Sequence, residues 1–225
     1  MAAAGLFSSL KQLRSYLRSR GLAATLARFR TAFLFSREHY VLVYKPMDVE
    51  VPRVEARISG CCRLAELSDL PQLDVFSDQY TQEQFREWIE QGGVLFVFDH
   101  EGRIIAYRLI TRQIPRVGAA TKIIRLEATD TWVANTYTLP EFRGGRIGSA
   151  LTSHVLIANK AAGYKREISL IRLANEASRK MVGLAGAVEI EEITYTVVCG
   201  LKLYKRRPAH QRRYYSGENA TQSNS

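Results

Sequence analysis

Apolar residues recur along the chain with two different periods, and the switches between them divide it into elements. Leu6, Leu10, Leu13 and Leu17 follow a 4-3-4 spacing with Lys11, Arg14 and Arg18 beside them, which predicts a basic amphipathic helix over 6–20. After Gly21, Leu22, Leu26, Phe29 and Phe33 repeat the spacing in a second helix. "YVLVYK" (40–45) reads as a strand closed by Pro46, "RVEARISGCCRL" (53–64) as a strand, and "LAELSDLPQL" (64–73) as a short helix. "TQEQFREWIEQGG" (81–93) is a helix with Thr81 as its cap and a glycine pair as its stop. "VLFVF" and "RIIAYRLI" flank the turn "DHEG" and predict a hairpin. A loop over 111–121 leads to a short strand at "KIIRL" (122–126) and a longer one at "DTWVANTYTL" (130–139), which Pro140 ends.

Ile147, Leu151, Val155 and Ala158 then mark one face of a helix that ends near Gly163. "REISLIRL" (166–173) is a strand, Asn175 caps a short helix over 176–185, and "AVEIEEITYTVVCGLKLY" closes the pattern as a long strand or hairpin. The polar segment from Ser216 carries no pattern of either period. The strand–helix–strand unit around the 147–158 helix is a crossover, so its two strands run parallel. The sequence is therefore mixed α/β, an α+β layered arrangement with helices on a mixed sheet.

Charge sharpens this division. The 225 residues carry a formal net charge of +10. Seven Lys/Arg and no acid lie in 1–37, and six with no acid lie in 202–213, leaving the intervening chain slightly acidic. We divide the chain into a basic helical extension (1–38), a main domain (39–207) and a basic, then polar tail (208–225). A negatively charged partner is expected at the ends, not over the whole surface. Cys61, Cys62 and Cys199 lack the spacing of a redox motif or a zinc site, and the four histidines are scattered, so no metal is expected.

The chemistry concentrates at "LPEFRGGRIGSAL" (139–151), where glycines and two arginines stand between a strand and a helix. A helix N-terminus offers unpaired amides and positive potential. Glycine lets an anion approach closely, and Arg143 and Arg146 add charged donors. A pyrophosphate fits this combination.

The stretch resembles the acyl-CoA-binding signature of the GNAT superfamily of N-acyltransferases, with Arg143 in the first place and Gly148 in the last. Arg146 stands where that signature carries its first glycine. A second group resembles the family's later motif: Asn175, Ser178, Met181 and Gly186 at their usual spacing. Ala187 replaces a common Phe, and Val182 stands where a tyrosine often serves as general acid. The order of elements over 51–205 also agrees with the family's.

What the resemblance implies is a GNAT-like mixed sheet with a central parallel strand pair and acetyl-CoA (or another acyl-CoA) as cosubstrate, without a metal. Tyr137, Thr138 and Leu139 would pair with the pantetheine arm. Gly144, Gly145, Arg146, Ile147, Gly148 and Ser149, with Arg143, would hold the pyrophosphate, and Asn175 and Ser178 would line the far wall. The reaction is attack of a primary amine on a thioester, which needs a base. Asp130, with Glu127 before it, occupies the region where some members place one, and Tyr195 or Tyr204 is an alternative acid. The acceptor is expected to be a small-molecule amine such as an amino sugar, in a surface-polysaccharide or lipid-linked pathway. The alternative is a CoA-binding module without turnover.

For residues 1–37 three readings stay open: adsorption on an anionic membrane, organellar targeting, or packing on the domain. Similar basic helices in GNAT-like proteins of those pathways favour the first, and with it a cytoplasmic protein at the inner membrane face. The slightly acidic body and the lack of a reading motif argue against nucleic acid. The pattern sets no oligomeric state.

Overall fold

The computed structural model describes residues 35–77, 79–112 and 123–210. The basic helices expected within 1–33 and the tail expected from Ser216 lie outside them. Eight strands form one sheet: β1 (Phe35–Pro46), β2 (Cys61–Leu64), β3 (Val94–His100), β4 (Arg103–Thr111), β5 (Asp130–Thr138), β6 (Arg166–Arg172), β7 (Val188–Val198) and β8 (Leu201–Pro208). Their spatial order is β2-β3-β4-β5-β6-β1-β7-β8. Every neighbouring pair is antiparallel except β5–β6, which is parallel as the crossover rule requires.

Among the described residues three α-helices accompany the sheet: α1 (Gln82–Glu90), α2 (Ile147–Ala161) and α3 (Glu176–Leu184). Helix α1 starts at a full capping box: the Thr81 side chain accepts from the Gln84 amide, and the Gln84 side chain accepts from the Thr81 amide. Its Phe85 meets Tyr107 of β4 edge to face, with Phe76 on the same side. The opposite face of β4 looks to α2, where Arg108 reaches Thr152. Alternation along one strand thus serves two layers.

Three sequence expectations change. The alternating run at 53–60 is no strand: Val54 donates its amide to Ser153 Oγ and Arg57 to the carbonyl of Gly145, which tie the segment to α2 and the turn before it. The segment Leu67–Phe76 is 3-10 rather than α, and it contains Pro71, which lacks the amide that helical bonding needs. Ile123–Leu126 forms no strand, although Ile124 packs with Trp132. In addition, β1 begins at Phe35, inside the stretch expected to be helical, and lies between β6 and β7.

Candidate functional site

The parallel pairing of β5 with β6 is short. Asp130, Thr131 and Trp132 pair with Arg166, Glu167 and Ile168, and there the ladder stops. Beyond that point β5 follows β4 as far as Thr138, and β6 follows β1 as far as Arg172. A bulge in β5 marks the divergence: Leu109 faces Asn135 and Ile110 faces Val133, which leaves Ala134 as the extra residue. A wedge-shaped gap opens between two strands of one sheet. Its closed end is backed by Trp132, Ile168, Leu42, Ile193 and Ile124, all buried and apolar.

Which residues of β5 address the gap follows from the ladder. The Leu139 amide donates to the Ile105 carbonyl, and the Leu139 carbonyl accepts from Phe142. Leu139 is therefore spent on its own fold, which corrects its expected role against a bound chain. Bonding to a neighbour alternates along an antiparallel strand. Tyr137 accordingly turns its backbone toward β4, while Thr138 and Thr136 turn theirs to the open side. Thr136 was missed in the sequence, because the Leu139–Ile105 bond that sets the parity appears only in the folded sheet. Tyr137 contributes its ring instead, with the Arg143 guanidinium 5.3 Å from its centroid. Arg143 Nε also donates to the Thr138 carbonyl at 3.1 Å, so this side chain lies along the mouth of the gap.

The glycine-rich turn sits at that mouth. Gly144 has φ +85°, and Arg146, the N-cap of α2, has φ +59°. The left-handed region explains why the resembling signature carries glycine where this chain has Arg146. We expect Arg146→Gly to raise stability by up to about 1 kcal/mol, relief of left-handed strain outweighing the added unfolded-state entropy. A denaturation midpoint that falls would contradict this. No side chain caps α2, so its first amides are left to an outside partner. Ile147 and Ser149 are buried, and Gly148 is half-buried. A Cβ on Gly148 would stand 2.5 Å from Met181 Sδ of α3 and 3.8 Å from Thr138 Oγ1. Thus α2, α3 and β5 converge on the one residue without a side chain.

Helix α3 forms the far wall. The Asn175 side chain caps it by accepting from the Ser178 amide. Val182 is buried with Val41, Val43 and Ile171, so this helix offers no acid at that position.

Asp130 is brought to the opposite, closed end. It is 1% exposed; Oδ1 accepts from Arg166 Nε at 2.6 Å, and Oδ2 accepts from Arg166 Nη2 and from the Glu127 amide. Glu127 pairs with the same arginine at 2.8 Å. Both carboxylates close the strand entrance, and both oxygens of Asp130 are engaged by Arg166, so the geometry gives the pair a structural role as a clamp. Asp130→Asn should cost about 2 kcal/mol, the scale of a hydrogen bond to a charged group. Ligand affinity at the mouth should stay unchanged. A loss of turnover without loss of stability would restore the catalytic reading. Tyr195 and Tyr204 lie together on β7 and β8 with their rings 5.2 Å apart, and burial raises the pKa of both.

Among the described residues no group of His, Cys, Asp and Glu is placed to hold a metal, and no helix is long and apolar enough to cross a membrane. The model of the acetyltransferase (GNAT) family matches residues 62–186, more than half the chain. No curated protein matches it significantly. Among solved structures, a GCN5-related N-acetyltransferase from Sphaerobacter thermophilus is similar with TM-score 0.55 at 12% identity, over 82% of this chain and 56% of that one. A GNAT-family protein from Novosphingobium aromaticivorans is similar with TM-score 0.52 at 15% identity, over 76% and 66%. The chain therefore spans about half to two thirds of the length of these proteins, and at such identities the likeness is one of fold.

Proposed function

The chain belongs to the GNAT acetyltransferase family, and we propose on that footing that it is an N-acyltransferase moving an acyl group, most simply acetyl, from acyl-CoA to a primary amine. The observation that carries this reading is the gap between β5 and β6 with an uncapped helix N-terminus at its mouth. The pyrophosphate of CoA would take the first amides of α2, with Arg143 and Arg146 as charged donors. The arm would follow the open side of β5 and pair with the backbone of Thr136 and Thr138. The apolar closed end suits an acyl group, and α3 bounds the other side.

Acyl-CoA supplies an activated carbonyl, and the protein's part is to hold it and admit the amine. A backbone amide near the Ala134 bulge is the natural donor to the oxygen that gains charge. Thiolate is a moderate leaving group, which agrees with a wall that carries Val182 and no tyrosine. The acceptor we favour is a small polar amine such as an amino sugar, and the site of action the cytoplasmic side of a membrane reached through residues 1–37. Incubation with acetyl-CoA and a panel of amines, read by thiol release, tests the reading. Amine-dependent release supports it. Stabilisation by CoA with no release for any amine or acyl length would leave a binding module.

A further inference from the structure

Arg108 lies on β4, one strand away from the gap, and is 1% exposed. Its guanidinium passes β5 and holds three other elements. Nη1 donates to Thr136 Oγ1 of β5 at 3.0 Å and to Thr152 Oγ1 of α2 at 3.1 Å. Nη2 donates to Glu167 Oε1 of β6, which is itself 5% exposed. Thr152 Oγ1 passes the contact on to the carbonyl of Gly148, at the turn where α2 begins. One buried side chain therefore links both strands that diverge and the helix that starts at their mouth. On β6 its anchor, Glu167, still lies in the ladder opposite Thr131, while on β5 it grips Thr136, beyond the last backbone pair, Trp132 with Ile168.

A purely structural ion pair would have no reason to sit there. Two strands without a shared ladder have nothing in the backbone to fix their separation. The linkage is also incomplete: Arg108 Nε and Glu167 Oε2 are buried and find no hydrogen-bond partner among the described residues. Lys45 of β1 stands opposite Glu167 in the ladder, is also buried, and turns its ammonium toward Gly186 beyond α3. The Glu167 carboxylate thus pairs with Arg108 of β4, two strands away, and Lys45 of the adjoining β1 adds its charge without a direct bond.

We propose that Arg108 is the positioning residue of the cleft: together with Glu167 it sets the separation of β5 and β6 and presents Thr136 to the arm of acyl-CoA. It touches neither the reacting atoms nor the pyrophosphate. This rests on the acyl-CoA reading above.

The test replaces both partners at once, Arg108→Met with Glu167→Leu, so that neither the guanidinium nor the carboxylate is left buried without the other. The thermal midpoint of this full-length variant should stay within a few degrees of the parent. Its CoA affinity by calorimetry should fall at least 10-fold, and KM for acyl-CoA should rise while kcat at saturation changes less than 3-fold. Hydrogen exchange at the amides of the short β5–β6 ladder, 130–132 with 166–168, should quicken, and that at Tyr107 in the β4–β5 ladder should not. Thr136→Val, which keeps the ion pair, serves if the double variant does not fold, and it should weaken CoA binding 3- to 10-fold. Unchanged CoA affinity in a folded variant overturns the proposal. If the parent protein ignores CoA, the acyl-CoA reading falls, and unaltered exchange in the β5–β6 ladder then overturns the positioning role as well.

Discussion

Arg179→Met is expected to destabilise the protein by about 3–5 kcal/mol, the range for removing one partner of a buried ion pair. Arg179 lies on α3 and is 5% exposed, as is Glu189 at the start of β7. The pair is bidentate, with Nε on Oε1 at 2.7 Å and Nη2 on Oε2 at 2.8 Å. Nη1 adds the Leu173 carbonyl at 3.0 Å, closing the turn that leads from β6 into α3. Methionine fills much of the space, so packing loss is the smaller part. The larger part is a carboxylate left in an interior that cannot solvate it. The companion exchange Arg179→Met with Glu189→Leu should recover most of the loss, because the charge that suffers is gone. Chemical denaturation measures both. A loss under 1 kcal/mol for the single variant would mean that the pair is wet in solution. Helix α3 is the far wall of the cleft, so this pair fixes where that wall stands.

Gly148→Leu is expected to abolish CoA binding, about 100-fold or more in affinity, at a smaller cost in stability of roughly 1–3 kcal/mol for overpacking. The Cβ alone would stand 2.5 Å from Met181 Sδ, so the side chain must push α2 and α3 apart or turn toward Thr138. Methionine is flexible and yields part of the way. Gly148→Ala should therefore fall between the parent and the leucine variant. Both directions open to the leucine lead into the mouth of the gap, and either removes the ligand's path. Arg143→Ala removes one charged donor and should cost about 10- to 100-fold, corresponding to 1.5–3 kcal/mol. A leucine variant that binds CoA as the parent does would place the anion elsewhere.

Much of this fold could be read from the chain. Thr81 announced α1, the turn at 99–102 announced the β3–β4 hairpin, and Asn175 announced α3, because each depends on residues within four positions. The run from Val54 to Gly60 alternates like a strand, yet its amides go to Ser153 and Gly145, partners nearly a hundred residues away. Only the tertiary fold shows them. The place of β1 between β6 and β7 is invisible for the same reason.

The sequence proposes an anion site at 143–149 from its glycines and arginines taken with the family resemblance. The direction of each backbone group on β5 was not legible. It depends on the Leu139–Ile105 bond, which turns Thr136 and Thr138, rather than Tyr137 and Leu139, to the gap. The family resemblance offered Asp130 as a base, while its place at a strand entrance offered a structural role instead. Arg166, its partner across β6, is 36 residues on. Arg108 and Glu167, each placed singly in an apolar strand, look like solvent-facing charges until the sheet order joins them.

The most direct test of the cleft is a calorimetric titration of the full-length protein with CoA, repeated on Arg143→Ala and Gly148→Leu. Saturable one-site binding by the parent, weakened in the first variant and lost in the second while both remain folded, is the expected result. No binding by the folded parent, or equal binding by all three proteins, would contradict a CoA site at the mouth of the β5–β6 gap.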